Sequence, residues 1–404
     1  MSMFLLYGDR SYSYGDLLDA ICQEDYIPYL KTPDLFKYFA NLVKALCNNL
    51  PLVLLDSDLN TSELAGLDEN EINRRCIKKV QHFTSIDDVI KALCNSVSEI
   101  TLFTSGTTGQ PKKVIHTVQT LTRSVRLGEK YAGQVWAYAY NPTHMAGLQV
   151  FFQAFLNQNT LVNVFNVSRN EVYHMIEEYS VTHISATPTF YRLLLPYEKA
   201  YPSVQRVTLG GEKSDAHLYE AIHSIFPMAK TNNVYASTEA GSLFAAKGDC
   251  FQIPVSLKDK FKVIDDELLI HYSLLGRSES FQLDGEFYHS GDLIEWVNLA
   301  EGTFRFKSRK NELINVGGYK INPGEVEAAI NSLNGVRQSL VYGKPNSVLG
   351  NILCAEVQLE ENRNITELEI RHLLKNKLQD FKIPRKIKFV DAFSLTRTGK
   401  LKRT

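Results

Sequence analysis

Apolar and polar positions along the chain follow two periods, one of two residues and one of between three and four. The candidate strands are 99–103, 182–186, 206–209 and 233–235, and the candidate helices are 146–156, 170–179 and 216–225. Strands and helices that alternate in this way are typical of a mostly parallel sheet with crossover helices. The pattern therefore predicts an α/β fold.

The pattern changes after about residue 255, where short strands and hairpins replace the helices. Turn signals at Asp284-Gly285 and Glu301-Gly302 separate these strands and predict a β-rich part of a large N-terminal domain. Beyond it the chain has its own strand and helices. They lie at 312–316, 323–333 and 366–378, and predict a small, mobile α+β C-terminal domain. We place the boundary so that the large domain is 1–308 and the small domain is 309–404.

Composition adds mainly exclusions. A chain of 404 residues is long for one hydrophobic core, which agrees with two domains. The net charge of -1 gives no overall attraction for nucleic acid or for an anionic membrane. The longest apolar stretch, 145–156, is interrupted by Gln149 and Gln153 and is shorter than the ~20 residues that a bilayer requires, so no membrane span is expected. The 6 cysteines stand singly, which favours reduced thiols and a cytoplasmic protein.

The strongest local motif directly follows the first candidate strand and reads TSGTTGQPKK from 104 to 113. Its glycines allow a turn with exposed amides, and its hydroxyl groups can bind phosphate oxygens. Pro111 stands where a Walker A loop requires glycine, which excludes that class of nucleotide site. The candidate ATP-binding residues of the loop are Thr104, Ser105, Gly106, Thr107, Thr108, Gly109 and Lys112.

This loop resembles the phosphate-binding loop of the adenylate-forming superfamily, which includes acyl- and aryl-CoA ligases, luciferases and the adenylation domains of peptide synthetases. Further elements similar to those of the family follow in the family's order. They are 235–239 (YASTE), 288–292 (YHSGD), 308–311 (SRKN), 317–327 (GGYKINPGEVE) and 396–400 (TRTGK). The resemblance extends from about residue 98 to the end of the chain, and the region before it is shorter than is common in the family.

The resemblance implies an enzyme that binds ATP with Mg²⁺ and joins a carboxylic acid to the α-phosphate. Lys400 would bridge the acid and the α-phosphate, Glu239 would bind the metal, and Thr238 would donate a hydroxyl to the α-phosphate or the acyl oxygen. Asp292 would accept hydrogen bonds from both ribose hydroxyls, and Arg309 would add a charge-assisted contact. The other ATP-binding residues that the resemblance implies are Gly211, Glu212, Asn233, Tyr235 (a face for adenine) and Ala236.

The segment 141–147 (NPTHMAG) is similar to the P-x-x-H-x-x-G element of the family, whose histidine lies beside the acyl carboxylate. Adenylation domains for α-amino acids have an aspartate in this region, and none stands between Tyr138 and Gln149, which disfavours amino acids. With apolar lining from 145–152, an aryl acid or a short to medium acyl acid is expected. The candidate acyl-site residues are His144 (also catalytic), Met145, Leu148, Gly210, Ala236 and Ser237.

Transfer of the acyl group to a thiol would follow rotation of the small domain. The resemblance implies a hinge at Asn311, and a thiol tunnel beside Gly317 and Gly318, where a side chain would obstruct it. The thiol would belong to coenzyme A or to the phosphopantetheine of a separate acyl carrier protein, and the basic C-terminal residues fit either acceptor. A non-catalytic nucleotide-binding relative and a luciferase-like oxygenase are the alternatives.

Overall fold

The computed structural model describes residues 2–60, 67–78, 80–104, 112–346, 349–361, 363–396 and 401–402. The first part contains β1 (Met3–Tyr7), β2 (Arg10–Ser13), α1 (Tyr14–Ile21), β3 (Asp25–Tyr26), β4 (Tyr29–Lys31), α2 (Leu35–Cys47), β5 (Leu52–Leu55), β6 (Cys76–Ile77), α3 (Ile86–Cys94), β7 (Glu99–Thr104), β8 (Lys112–Thr117) and α4 (Val118–Thr122). The central part contains β9 (Val135–Tyr138), α5 (Met145–Phe155), β10 (Thr160–Asn163), α6 (Arg169–Glu178), β11 (His183–Ala186), α7 (Pro188–Leu193), β12 (Arg206–Gly210), α8 (Ala216–Ile225) and β13 (Lys230–Ser237).

Short strands then predominate. They are β14 (Gly241–Lys247), β15 (Cys250–Gln252), β16 (Phe261–Ile264), β17 (Glu267–His271), β18 (Leu283–Asp284), β19 (Phe287–Asn298) and β20 (Thr303–Arg309). The last part contains β21 (Ile314–Val316), β22 (Tyr319–Ile321), α9 (Pro323–Asn331), β23 (Val336–Asn346), β24 (Gly350–Leu359), α10 (Glu367–Lys375) and β25 (Lys386–Phe389).

The central sheet is parallel, as the sequence predicted. The neighbouring strands β1, β10, β9, β11, β12 and β13 all run in the same direction. The structure thereby confirms the α/β fold. Helix α8 has the predicted bounds, whereas β13 begins earlier than predicted, at Lys230.

The β-rich part extends this same sheet. Strand β13 pairs antiparallel with β14, and β15, β20, β19, β17 and β16 continue the order. A separate sheet of β4, β5, β7 and β8 contains the strand that the sequence placed before the TSGTTG loop. The loop therefore joins the antiparallel pair β7 and β8 rather than two strands of the central sheet.

Side-chain caps fix where the helices beside the central strands begin. Ser168 accepts a hydrogen bond from the backbone of α6, and Asp215 accepts one from the backbone of α8. Thr187 caps α7, whose first residue is Pro188, a position where the missing N–H costs no helical hydrogen bond. These caps set the loops that follow β11 and β12.

Helix α5 is the most apolar element next to these loops. Its residues Phe151, Phe152 and Phe155 are fully buried against α2 and the N-terminal strands. Among the described residues no helix is both long enough and apolar enough to cross a bilayer.

The last part of the chain has an apolar core of its own. Ile321, Val326, Ile330, Val341 and Ile370 belong to one buried cluster that includes no residue before Val316. A single 3₁₀ turn, Lys310–Glu312, joins β20 to β21, in place of the start of the strand predicted at 312–316. The chain thus changes from one core to the other directly after Arg309.

Candidate active site

A cleft of about 2260 Å³ opens where β11, β12 and β13 end. Ligands of open α/β sheets bind at this edge, because loops and helix N-termini converge there. Residues of the C-terminal segment also line the cleft, among them Thr396, Leu401 and Lys402. The cleft is therefore lined both by the central sheet and by the C-terminal segment that carries the last sequence motif.

Asp292 is a buried carboxylate of this cleft, with 5% of its surface exposed. Arg309 Nε donates to Oδ1 at 2.9 Å, and the Tyr235 hydroxyl donates to Oδ2 at 2.6 Å. The carboxylate raises the pKa of the Arg309 guanidinium above its usual range. A carboxylate has about four acceptor sites, so Asp292 can still accept two further hydrogen bonds.

The Tyr235 ring is held between Asp292 and an aromatic cluster. It stacks on Phe306, with ring centroids 4.5 Å apart and planes inclined by 18°. Burial, together with Asp292, raises the pKa of the Tyr235 hydroxyl well above its ordinary value, so this hydroxyl acts as a neutral donor. Phe306 covers one face of the ring, and the stacking of adenine on Tyr235 stays a prediction.

His116 fixes the backbone beside Thr238. Its Nε2 donates to the Thr238 carbonyl at 2.8 Å, and its Nδ1 lies 3.2 Å from the Thr120 hydroxyl. The side chain is buried at 1% exposure, and this burial lowers its pKa to about 4, so the ring is neutral. Gly276 packs against it, since an added Cβ would lie 2.6 Å from the imidazole. The sequence motifs did not indicate His116.

Thr238 and Glu239 both line the cleft and are partly exposed. Among the described side chains none forms an ion pair with Glu239, and no group of three potential ligands is found there. A single carboxylate is enough for Mg²⁺, which binds one or two carboxylates together with phosphate oxygens and water, so Glu239 fits the predicted metal role.

At the end of β12, two glycines line the cleft and the glutamate after them joins two other segments. Gly210 and Gly211 line the cleft, and an added Cβ at Gly210 would lie 2.9 Å from Val234 Cγ2. Glu212 does not line the cleft, and its predicted contact with ATP stays a prediction. Its two oxygens accept from Thr189 N, at 3.0 Å, and from Leu401 N, at 3.4 Å. Glu212 therefore joins the start of α7 to the C-terminal segment.

Strand β13 directs its side chains alternately toward the cleft and away from it. Its alternate residues Lys230, Asn232 and Val234 line the cleft, whereas Asn233 is buried away from it and lies 3.5 Å from the Gly248 carbonyl. Successive side chains of a strand point to opposite faces, so the amide in the cleft is that of Asn232. A register shift after Tyr235 then allows the consecutive residues 235–239 to line the cleft.

The predicted acyl end lies between α5 and the sheet. Met145, Gln149 and Gln153 of α5 line the cleft together with His144, which precedes the helix. Leu148 is fully buried in the core and does not line the cleft, because it lies on the opposite face of α5. Ala236 and Ser237 do line it.

The floor of this end is more polar than the apolar lining that the sequence predicted. Ser185, Thr208 and Asn232 are paired across adjacent strands and all line the cleft. Alternation along β11, β12 and β13 places them on one face of the sheet. Sequence reasoning missed them, although that alternation was a usable signal.

A carboxylate from a distant segment also reaches the acyl end. Asp56 directly follows β5, and its Oδ2 lies 3.3 Å from His144 Nε2. Asn141 Nδ2 donates to both oxygens of Asp56, at 2.8 and 3.0 Å. The usable signal was an aspartate at the carboxyl end of the apolar run 52–55.

The 3₁₀ turn Lys310–Glu312, which contains the predicted hinge residue Asn311, contacts β17. Asn311 lines the cleft, and Lys310 Nζ donates to Glu267 at 3.1 Å. Burial favours a raised pKa for Glu267, but hydrogen bonds from Lys310, His289 and the Gly291 backbone together lower it. The Glu267 carboxylate is therefore charged and holds Lys310 next to β17, while the hinge itself stays a prediction.

Gly317 and Gly318 form the turn between β21 and β22 and do not line the cleft. Their φ angles are +57° and +91°, as tight hairpin turns require. An added Cβ at Gly318 would meet nothing within 4 Å. At Gly317 an added Cβ would lie 3.2 Å from Leu349 Cδ2, so the turn conformation alone accounts only for Gly318.

Several predicted residues lie outside the described part of the chain. The predicted residues outside it are Ser105, Gly106, Thr107, Thr108, Gly109 and Lys400. Thr104 is described only in its backbone. Lys112, at the start of β8, lines the cleft. The roles of the undescribed residues stay predictions.

Comparison with known proteins agrees with this site. The family model described as AMP-binding enzyme matches residues 95–267, and that of the AMP-binding enzyme C-terminal domain matches residues 325–400. Among curated proteins, 2-succinylbenzoate–CoA ligase of Staphylococcus aureus (strain MRSA252) is 26% identical over 325 residues, which cover 75% of this chain and 65% of the ligase. The Staphylococcus epidermidis (strain RP62A) ligase of the same name is 26% identical over 333 residues, covering 75% of this chain and 68% of that ligase.

Solved structures share the fold. The o-succinylbenzoate coenzyme A synthetase of Bacillus subtilis in complex with ATP and magnesium ion superimposes with a TM-score of 0.73 at 20% identity, over 99% of this chain and 95% of the other. ATP-bound MatB of Rhodopseudomonas palustris gives a TM-score of 0.74 at 15% identity, over 99% and 94%. The two family matches together cover more than half of the sequence, and the chain belongs to the family of AMP-binding enzymes.

Proposed function

We propose that this protein activates a carboxylic acid with ATP and transfers the acyl group to the thiol of coenzyme A. In the first step a carboxylate oxygen attacks the α-phosphorus, the bond to the β-phosphate oxygen breaks, and pyrophosphate leaves. In the second step the thiol sulfur attacks the acyl carbon, AMP leaves, and the thiol proton passes to solvent. The observation that carries the proposal is one cleft that contains Asp292 with Arg309, Glu239 and the C-terminal segment.

The described residues supply a nucleotide site. The two free acceptor positions of Asp292 suit the two ribose hydroxyls, and Arg309 stabilises the carboxylate charge. Glu239 would hold Mg²⁺, which screens the phosphate charge as pyrophosphate leaves, and Thr238 would donate to the α-phosphate. His116 keeps Thr238 in place through its carbonyl.

Lys400 and the loop 104–109 would complete the site. The residues on either side of the undescribed segment 397–400, Thr396 and Leu401, both line the cleft, which supports Lys400 as the cation between acid and α-phosphate. We further propose domains of 1–308 and 309–404 that rotate about Asn311, which would withdraw Lys400 before the thiol enters.

The acid is proposed to be an aryl acid of the 2-succinylbenzoate type. The names of the curated relatives support this class, and so does the polar floor of Ser185, Thr208 and Asn232, which offers hydrogen bonds to oxygen atoms beyond the reacting carboxylate. The same names favour coenzyme A over carrier-protein phosphopantetheine as the acceptor.

Acid-dependent ATP–pyrophosphate exchange tests the proposal, with 2-succinylbenzoate, benzoate and octanoate offered separately. We expect exchange with the aryl acids, an acyl-AMP by mass spectrometry, and a thioester when coenzyme A is added. Lys400→Ala should reduce exchange by about 10² to 10³, the effect of losing one positioned oxyanion donor, while ATP still binds. Lys386→Ala, at an exposed position of β25, is the matched control.

Two results would count against the enzyme. ATP binding without pyrophosphate release from any acid would indicate the non-catalytic relative. Thioester formation only on a carrier protein would replace coenzyme A as the acceptor.

A further inference from the structure

The loop before α5 is tied to the end of β5. Asp56 accepts both hydrogen bonds from Asn141 Nδ2, and Asn141 Oδ1 in turn accepts from the backbone and the hydroxyl of Thr143. Asn141 O accepts from His144 N at 3.2 Å. Gly147 packs against this loop, since an added Cβ would lie 2.3 Å from Asn141 O. Asp56 thus belongs to a tightly built turn that ends at His144.

The His144 ring is held from one side. Its Nε2 atom is buried and makes no hydrogen bond of good geometry among the described residues, yet Asp56 Oδ2 lies only 3.3 Å away. A small rotation of the ring completes that hydrogen bond, with Nε2–H as the donor. Nδ1 is then the ring nitrogen that can meet a ligand, because the side chain lines the cleft.

We propose that Asp56 is a positioning residue that holds His144 against the acyl group of the acid. This inference rests on the proposed function. An imidazole whose Nε2–H bonds to a carboxylate has a fixed ring orientation and a fixed tautomer, as metal-bound and catalytic histidines commonly have. Asp56 therefore sets which atom of His144 faces the substrate.

The charge of Asp56 predicts that the effect of its removal on acid binding depends on His144. A carboxylate near the acyl site repels the carboxylate of an approaching acid. In the wild type the contact between the oriented His144 ring and the acyl group outweighs this repulsion. If His144 is replaced by glutamine, that contact is lost while the repulsion by Asp56 remains, so removal of the charge should then leave the affinity for the acid unchanged or raise it.

Steady-state ATP–pyrophosphate exchange with the acid preferred by the wild type tests the proposal through a double-mutant cycle of Asp56→Asn and His144→Gln. We expect Asp56→Asn alone to raise KM for the acid about tenfold, the effect of weakening a hydrogen bond to a charged group, without a change in KM for ATP. In the His144→Gln background the same substitution should leave KM unchanged or lower it. Asp58→Asn, an exposed carboxylate outside the cleft, is the control, and thermal unfolding shows that each variant is folded.

Additive increases in KM in the two backgrounds would overturn the positioning role, as would equal effects on the KM for ATP and for the acid. Asp56→Glu adds a second readout, because a retained carboxylate should recover part of the acid affinity if its hydrogen bond to His144 matters. Exchange activity in the wild type with no response to Asp56→Asn would refute this inference and leave the proposed function intact.

Discussion

Asp292→Asn should separate recognition of the ribose from the rest of ATP binding. The substitution keeps the shape of the side chain but removes its charge and replaces one acceptor oxygen with an NH₂ group. At present each oxygen of Asp292 accepts one protein hydrogen bond and has one acceptor position left for a ribose hydroxyl.

The magnitude follows from these contacts. A hydrogen bond to a charged group contributes about 1.5–3 kcal/mol and a neutral one about 0.5–1.5 kcal/mol, so each ribose contact weakens by about 1 kcal/mol. Two contacts give about 2 kcal/mol, or roughly 30-fold in ATP affinity. The stability of the free protein should fall by only about 1 kcal/mol, because Arg309 is half exposed and solvent screens its ion pair.

The assay compares ATP with 2′-deoxy-ATP by calorimetry. The wild type should prefer ATP, because only ATP has the 2′-hydroxyl that Asp292 is proposed to bind. Asp292→Asn should lose most of this preference, because the variant forms a weaker hydrogen bond with that hydroxyl. Asp284→Asn, at an exposed position of β18, is the matched control. An unchanged preference for ATP in the Asp292 variant would refute the assignment of this carboxylate to the ribose.

Two further predictions concern stability and the hinge side of the cleft. The pKa of His116 is about 4 in the folded protein against an ordinary 6.5, so the unfolded chain binds a proton first as the pH falls. The free energy of unfolding should therefore drop from about pH 6.5 toward pH 4, by about 2 kcal/mol at pH 5. Urea titrations of His116→Gln should show a shallower fall with pH. Gly318→Ala should cost about 1 kcal/mol through its positive φ alone, and Gly318→Asn less, since asparagine adopts this conformation more readily. Gly318→Phe should in addition lower thioester formation more than pyrophosphate exchange, and equal losses of both steps would contradict a thiol tunnel at this turn.

The sequence predicted what short segments determine. The parallel strands follow from local patterns, because a buried strand and its terminal loop are encoded within about ten residues, whereas the ion pair between Asp292 and Arg309 was found only in the structure. Leu148 and Asn233 do not line the cleft, because tertiary packing decides which face of an element meets the cleft, and the sequence pattern alone does not.

Contacts between residues far apart in the sequence were harder still to predict. Asp56 and His144 are far apart in the sequence, with β6, α3, β7, β8, α4 and β9 between them, and the packing of β5 against the loop before α5 brings them together. Glu212 was expected at the nucleotide because it follows a glycine turn, whereas its two oxygens bind backbone amides of separate segments. Contacts of this kind leave no periodic signal in one sequence.

The bond between Glu212 and Leu401 N has a consequence for turnover. At 3.4 Å it is near the long limit for hydrogen bonds, and water can replace it at little cost in free energy. In the rotation proposed above, this hydrogen bond would therefore add little to the free energy needed to move Leu401 away from Glu212.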